Sequence, residues 1–86
     1  MPEICRFFGV VVTMLYRDHV PPHFHVRYGG RRGRFALGPV RLLEGRLSPR
    51  VIGLIMEWAL IHEDELLENW DLAQHNRPLN RIDPLE

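Results

Sequence analysis

The six residues before a Gly29-Gly30 pair alternate strictly between apolar and polar side chains. The apolar set is Phe24, Val26 and Tyr28, and the polar set is His23, His25 and Arg27. Alternation with a period of two is typical of a strand with one buried face. Two consecutive glycines after such a run predict a two-residue hairpin turn. The pattern therefore constrains this part of the chain to an antiparallel hairpin with one apolar face.

The lengths of the connecting turns predict the strand register. Opposed residues of an antiparallel pair share a face, so a two-residue turn at Gly29-Gly30 and a five-residue loop over residues 18–22 each define opposed pairs. Pro21-Pro22 stiffens that loop, since two prolines do not fit a central strand. The predicted pairs are Arg27–Arg32 and His25–Arg34 across the turn, and Arg17–His23 and Thr13–Arg27 across the loop. Both hairpins place the apolar side chains on one face, which indicates a meander.

Strand signals fill the first half of the chain and helix signals the second. Residues 7–17 are rich in β-branched and aromatic side chains, and a short segment ending at Gly45 adds a fourth strand. The apolar positions predicted to face the core are Phe8, Val10, Val12, Met14 and Tyr16. Ser48-Pro49 begins a helix, because serine is a favoured N-cap and proline fits the first turn. The apolar stripe of this helix is Ile52, Ile55, Ala59, Leu66, Trp70 and Ala73.

Together these signals predict one domain of the α+β class over residues 1–86. Its strands lie within about residues 4–46 and form a three- or four-stranded antiparallel meander. One long C-terminal helix, at about residues 49–74, packs on one sheet face. The tail, residues 75–86, is expected to pack back on the domain through its apolar side chains.

Charge is divided unevenly along the 86 residues. Residues 1–50 hold nine arginines and three acids, a balance of 9 − 3 = +6, whereas residues 51–86 hold two arginines and eight acids, a balance of 2 − 8 = −6. The two halves either bind an anion and a basic partner or neutralise each other. No apolar run is long enough to span a membrane. Glu3 stands where a signal peptide would be basic, which favours a cytoplasmic protein, and a lone Cys5 excludes a disulfide framework.

Arginine and histidine dominate the polar face of the predicted sheet. Arginines placed directly opposite each other are destabilising unless an anion or an acidic partner binds between them. We therefore expect Arg17, Arg27 and Arg34 to contact substrate phosphates. The alternative is that these side chains separate in water and bind nothing.

His23 and His25 lie on one face of the strand, with Cα atoms roughly 6.6 Å apart. One use is acid–base catalysis, in which one imidazole accepts a proton and the other donates one, while Asp18 orients a ring. The other use is a zinc site completed by His19 or Asp18. The arginines repel a cation, so we expect no metal, with His19, His23 and His25 as the alternative zinc ligands. Solvated surface histidines are the third interpretation.

Five parts of the chain form a distinctive set: Met1–Ile4, Tyr16–Val26, Glu57–Ala59, Leu66–Trp70, and Pro78-Leu79 with Ile82–Leu85. They resemble the bacterial family catalogued as domain of unknown function 4160 (DUF4160). The Asp-His-x-Pro-Pro-His-Phe-His segment is the most specific of them. The resemblance implies a toxin-like member of two-gene toxin–antitoxin cassettes, with a partner from a second small family of unknown function, number 2442.

The family motif carries over only onto Asp18, His19, His23 and His25, which are therefore the candidate catalytic residues. Arg31, Arg32 and Arg34 depart from the acidic or neutral residues expected there. We expect a toxin-like protein that acts on RNA as a metal-independent ribonuclease. The alternatives are a non-catalytic interaction module that binds an antitoxin-like protein and a metal-binding domain. Val11 and Leu15, predicted on the open sheet face, also suggest a homo-oligomer.

Overall fold

The computed structural model describes residues 2–86 as a five-stranded antiparallel sheet followed by two helices. The elements are β1 (Glu3–Phe7), β2 (Val10–Thr13), β3 (His23–Tyr28), β4 (Arg31–Ala36), β5 (Arg41–Gly45), α1 (Pro49–Ile61) and α2 (Glu63–Gln74). The strands lie side by side in chain order, so the sheet is a meander. The predicted α+β class is confirmed. Met1, which the predicted domain includes, lies outside the described residues.

The predicted first strand is in fact two strands, so the expectation of three or four strands is wrong. The chain reverses at Phe8 and Gly9, whose φ angles are 47° and 82°. Positive φ at both central residues suits a two-residue hairpin turn, although phenylalanine rarely adopts it. Phe8 is consequently 60% exposed rather than in the core, and Tyr16, beyond the end of β2, is also exposed.

The register between β3 and β4 is the predicted one, with Arg27 opposite Arg32 and His25 opposite Arg34. The register between β2 and β3 differs by two residues, because the connecting loop spans residues 14–22 rather than 18–22. Thr13 therefore pairs with His25, and Arg17 lies in the loop instead of opposite His23. A shift of two keeps every side chain on its predicted face.

The predicted single helix is interrupted at His62, which separates α1 from α2. The α1 N-cap is as predicted, since Ser48 Oγ accepts a hydrogen bond from the Val51 amide at 3.3 Å. His62 has φ −111° and ψ 22°, and its Nδ1 lies 2.6 Å from Glu65 Oε1. Three acidic residues then occupy the first turn of α2, where they stabilise a new helix N-terminus.

The core lies between one sheet face and the helices. Its largest buried side chains include Trp58, Phe24, Phe35 and Ile55. The tail packs against β1 and α1, since the Ile82 amide donates to the Ile4 carbonyl at 2.9 Å and Trp58 Nε1 donates to the Asp83 carbonyl at 2.8 Å. No helix within residues 2–86 has the length and apolar character needed to cross a membrane.

The sheet face opposite the core, which we call the outer face, does not carry the two exposed apolar side chains predicted for it. Val11, predicted to be exposed there, is buried within the chain itself, and Leu15 is half-buried in the loop. The apolar side chains on which self-association was predicted are therefore largely covered.

Candidate functional site on the outer sheet face

The loop over residues 14–22 is anchored to the C-terminal end of α2. The Arg17 amide donates to the Ala73 carbonyl at 3.2 Å, and Gln74 Nε2 donates to the Asp18 carbonyl at 3.4 Å. The loop also bonds to the sheet, since the Leu37 amide donates to the Pro22 carbonyl at 2.9 Å. These contacts hold Asp18 beside the first residues of β3.

Asp18, His23 and His25 form a compact group, which we call the Asp18 cluster. Asp18 Oδ2 lies 2.9 Å from His23 Nε2 and 3.1 Å from His25 Nε2. The two imidazole centroids are 5.1 Å apart, because residues two apart on a strand share a face. One carboxylate oxygen thus contacts a nitrogen of each ring.

His23 is the buried member of the cluster. Its side chain is 2% exposed, and its ring packs 5.3 Å from the Trp70 ring of α2. His23 Nδ1 lies 2.8 Å from the Pro21 carbonyl oxygen. A carbonyl oxygen only accepts, so Nδ1 carries the hydrogen and donates it. The other nitrogen, Nε2, therefore faces Asp18 with either a second proton or a lone pair.

The Asp18 carboxylate is held in its ionised form. Burial raises its pKa, but hydrogen bonds from His25 and from the His19 amide, together with the charge of His23, outweigh burial and lower the pKa overall. A lone pair of His23 Nε2 facing an ionised carboxylate oxygen at 2.9 Å would be repulsive. The cluster is therefore built to hold a cation between these atoms, either a proton or a metal ion.

His25 connects the cluster to solvent. Its side chain is 23% exposed, and it lines a groove of about 670 Å³ on the outer face, which we call the outer groove. The groove is lined by Thr13, His25, Val26, Arg27, Arg32, Gly33, Arg34, Glu44, Gly45 and Arg46. Chemistry at the cluster can therefore reach a groove ligand only at the His25 end.

Residues 9–71, well over half of the chain, match the family described as Domain of unknown function (DUF4160). The chain belongs to this family. No curated protein and no solved structure matches it. The matched region of this DUF4160 member contains the whole Asp18 cluster and every residue that lines the outer groove.

The predicted arginine contacts are only partly brought together. Arg27 lies in the groove opposite Arg32, and within residues 2–86 neither side chain forms an ion pair. Arg34 also lines the groove, but its Nε donates to Glu44 Oε1 at 2.7 Å. Arg17 is an exposed loop residue that does not line it. Within residues 2–86 of this DUF4160 chain, the arginines that line the groove without an ion pair are therefore Arg27, Arg32 and Arg46.

Three charged groove residues were absent from the predicted contact set, namely Arg32, Glu44 and Arg46. Arg46 follows β5, and Glu44 of β5 lies opposite Arg34. Glu44 could have been placed from the sequence had the β4–β5 register been derived, because opposed residues share a face. That register contains an irregularity between Arg34 and Phe35, which turn lengths alone do not reveal.

His19 is not part of the cluster, although the family motif includes it. Its backbone amide donates to Asp18 Oδ1 at 2.8 Å, and its side chain is exposed. Within residues 2–86, the side chains close enough together to share one metal ion are Asp18, His23 and His25, with Asp18 in the place proposed for His19. His19 thus orients the carboxylate through its backbone.

Proposed function

We propose that this DUF4160 protein is the toxin-like component of a bacterial two-gene cassette and that it binds and cleaves RNA along the outer groove. One observation carries the proposal: a single groove joins His25 of the Asp18 cluster to Arg27 and Arg32, which lie opposite each other and form no ion pair within residues 2–86. Arginine presents a planar set of donors that matches phosphate oxygens, and opposed arginines are stabilised by an anion between them.

RNA cleavage through the 2′-hydroxyl group needs a proton acceptor, a proton donor and stabilisation of the charged phosphate. In the outer groove, Arg27 and Arg32 supply the charge stabilisation. Proton transfer takes place beside His25, because His25 is the partly exposed histidine of the cluster. His23 is a positioning residue, since at 2% exposure it does not reach a ligand.

The test uses labelled single-stranded and hairpin RNA. Arg27→Ala/Arg32→Ala should weaken binding and cleavage together, whereas His25→Ala should abolish cleavage and leave binding within about threefold. The matched controls are Arg77→Ala and His75→Ala, which change the same residue types at exposed positions outside the groove. If the Arg27→Ala/Arg32→Ala protein bound RNA as tightly as wild type, the groove would be excluded as the RNA site. Cleavage that persists in His25→Ala would exclude the cluster.

A second candidate function is that of a protein-interaction module, and one surface favours it. Leu60 and Ile61 in the last turn of α1 are 60% and 64% exposed, and Glu63 and Asp64 begin α2 directly after them. An apolar pair beside acids suits a partner with an apolar and basic surface, such as the antitoxin-like protein of the cassette.

The two functions separate experimentally. Leu60→Ser/Ile61→Ser should abolish binding to the product of the neighbouring gene and leave RNA binding unchanged. Light scattering of the same variant, compared with wild type, also tests whether a second copy of the chain occupies this surface. If the neighbouring gene product binds tightly, and wild-type protein neither binds nor cleaves RNA, the interaction module is the function.

A further inference from the structure

We infer that the Asp18 cluster is a binding site for one divalent transition-metal ion, held by Asp18 Oδ2, His23 Nε2 and His25 Nε2. The inference deepens the proposed function and rests on it for the substrate, a phosphodiester. Binding of the ion itself needs no RNA, so the two can fail separately.

The positions of the three ligand atoms fit such an ion. They all lie within 4.8 Å of one another, and Oδ2 is 2.9 and 3.1 Å from the two nitrogens. Ligand atoms about 2.0–2.1 Å from a tetrahedral zinc ion are roughly 3.3 Å apart. The two separations between Oδ2 and the histidine nitrogens would therefore need to open by only a few tenths of an ångström. Two imidazoles and one carboxylate also form a donor set typical of zinc and its neighbours.

The groups behind the ligands are arranged as in a metal site. His23 Nδ1 donates to the Pro21 carbonyl, so Nε2 presents a lone pair to the ion once the ion replaces the proton at that nitrogen. Ligating histidines usually donate their second N–H in this way. Asp18 Oδ1 accepts the His19 amide hydrogen bond, which leaves Oδ2 for the ion.

The arginines near the cluster repel a cation less than the sequence suggested, because one of them forms an ion pair between β4 and β5. Arg34 lies directly opposite His25, and Glu44 accepts its hydrogen bond at 2.7 Å. Arg27 and Arg32, which form no ion pair in the described part of the chain, lie farther along the strands, one residue pair from the Gly29-Gly30 turn. A divalent ion with one carboxylate ligand leaves a net charge of +1, which attracts a phosphate.

Cleavage needs both a proton acceptor and a proton donor, and His25 is the one accessible histidine of the cluster. The metal ion would supply the missing proton acceptor. Three protein ligands leave a coordination position for water, as in catalytic zinc sites, and the ion lowers the pKa of that water. The resulting hydroxide takes the proton of the RNA 2′-hydroxyl and becomes water. The 2′-oxygen then bonds to phosphorus, and the 5′-oxygen leaves with the electron pair and accepts a proton from the bound water. A cyclic phosphate and a 5′-hydroxyl result, with no other reactant.

The experiment is calorimetric titration of chelator-treated protein with Zn²⁺, repeated with Co²⁺ to read coordination from visible absorption. Wild type should bind one equivalent. Asp18→Asn and His25→Ala should bind at least about 100-fold more weakly, since each removes a direct ligand. His75→Ala, which changes an exposed histidine outside the cluster, is the matched control and should bind like wild type. Asp18→Asn and His25→Ala are preferred to His23→Ala, which removes packing against Trp70, and circular dichroism checks their folding.

Absence of Zn²⁺ binding by folded wild type, or equal binding by Asp18→Asn, would overturn the inference. RNA provides the second arm. Cleavage that withstands a chelator, in a protein that binds no Zn²⁺, would overturn the metal site and leave the proposed function standing. Stoichiometric Zn²⁺ binding that depends on Asp18, without RNA binding or cleavage, would support the metal site and overturn the proposed function.

Discussion

The two ends of the outer sheet face are both formed by the alternating polar residues of β3, but their surroundings differ. Alternation along β3 places His23 and His25 at one end and Arg27 at the other, all on one face. At the first end the polar atoms are covered and bonded to one another. At the other end Arg27 and Arg32 are exposed, opposed and without ion pairs in the described part of the chain. Strand alternation therefore determines which face the polar residues lie on. The loop over residues 14–22 and α2 determine which of them are buried and bonded to one another.

We expect the two ends to contribute differently, the first to the stability of the fold and the second to the binding of a ligand. The Asp18 cluster is joined to the loop over residues 14–22 and to α2, so its contacts contribute to the free energy of unfolding. The opposed arginines oppose folding slightly and form no ion pair within residues 2–86, so we expect them to bind an anion from outside the chain.

The largest effect is expected for His23→Ala. This substitution removes packing against Trp70 and the hydrogen bonds to Pro21 and Asp18. We expect the free energy of unfolding to fall by about 3 kcal/mol, because a buried polar pair loses one member. Urea denaturation measures the loss, with His75→Ala as the exposed control. A loss below about 0.5 kcal/mol would show that the Asp18 cluster contributes no more to the free energy of unfolding than exposed side chains do.

The next effect concerns the salt dependence of RNA binding. Each unpaired arginine that contacts a phosphate adds about 0.7 to the slope of log K against log salt concentration for single strands. Arg27→Ala/Arg32→Ala should therefore reduce the slope by about 1.4. Arg34→Ala should reduce it less, because Glu44 already pairs with Arg34. Glu44→Gln, which frees Arg34, should strengthen binding, and an unchanged affinity would show that Arg34 does not face the RNA.

How much of this arrangement the sequence predicts depends on how local its causes are. The β3–β4 register and the apolar face follow from the Gly29-Gly30 turn and from alternation, both of which are local. The turn at Phe8 was missed because phenylalanine at positive φ runs against its own preference. The interruption at His62 was missed because the apolar stripe continues past it.

The candidate site divides in the same way. The grouping of Asp18 with His23 and His25 was predictable, since a short proline-containing loop returns Asp18 to the start of the same strand. The burial of His23 was not, because it depends on Trp70, which is distant in the chain. The neutralisation of Arg34 was also missed, since it depends on a bulged register with β5.

A smaller effect is expected in the acid stability of the cluster end. The pKa of Asp18 is lower in the folded chain than in the unfolded chain, so unfolding takes up a proton as the pH falls. The stability that Asp18 contributes is fully present above about pH 4 and is lost as the pH falls through its folded pKa. Asp18→Asn should lack this part of the acid dependence. The comparison with wild type cancels Glu3, whose pKa is lowered by Arg6 and Arg81, and identical pH profiles would contradict the prediction.

The smallest effect is the most informative about the arginine end. Arg32→Glu replaces a pair of like charges with a pair of opposite charges, because residue 32 lies directly opposite Arg27. Such a cross-strand exchange should raise the free energy of unfolding by about 0.5 kcal/mol, whereas Arg32→Ala should raise it by less. The same substitution should abolish RNA binding, because it removes one phosphate contact and neutralises a second. A stabilised protein that no longer binds would show that Arg27 and Arg32 are positioned for an external anion at a cost to stability. A destabilised Arg32→Glu protein would show instead that the two guanidinium groups do not repel each other, and the contrast between the two ends of the face would be lost.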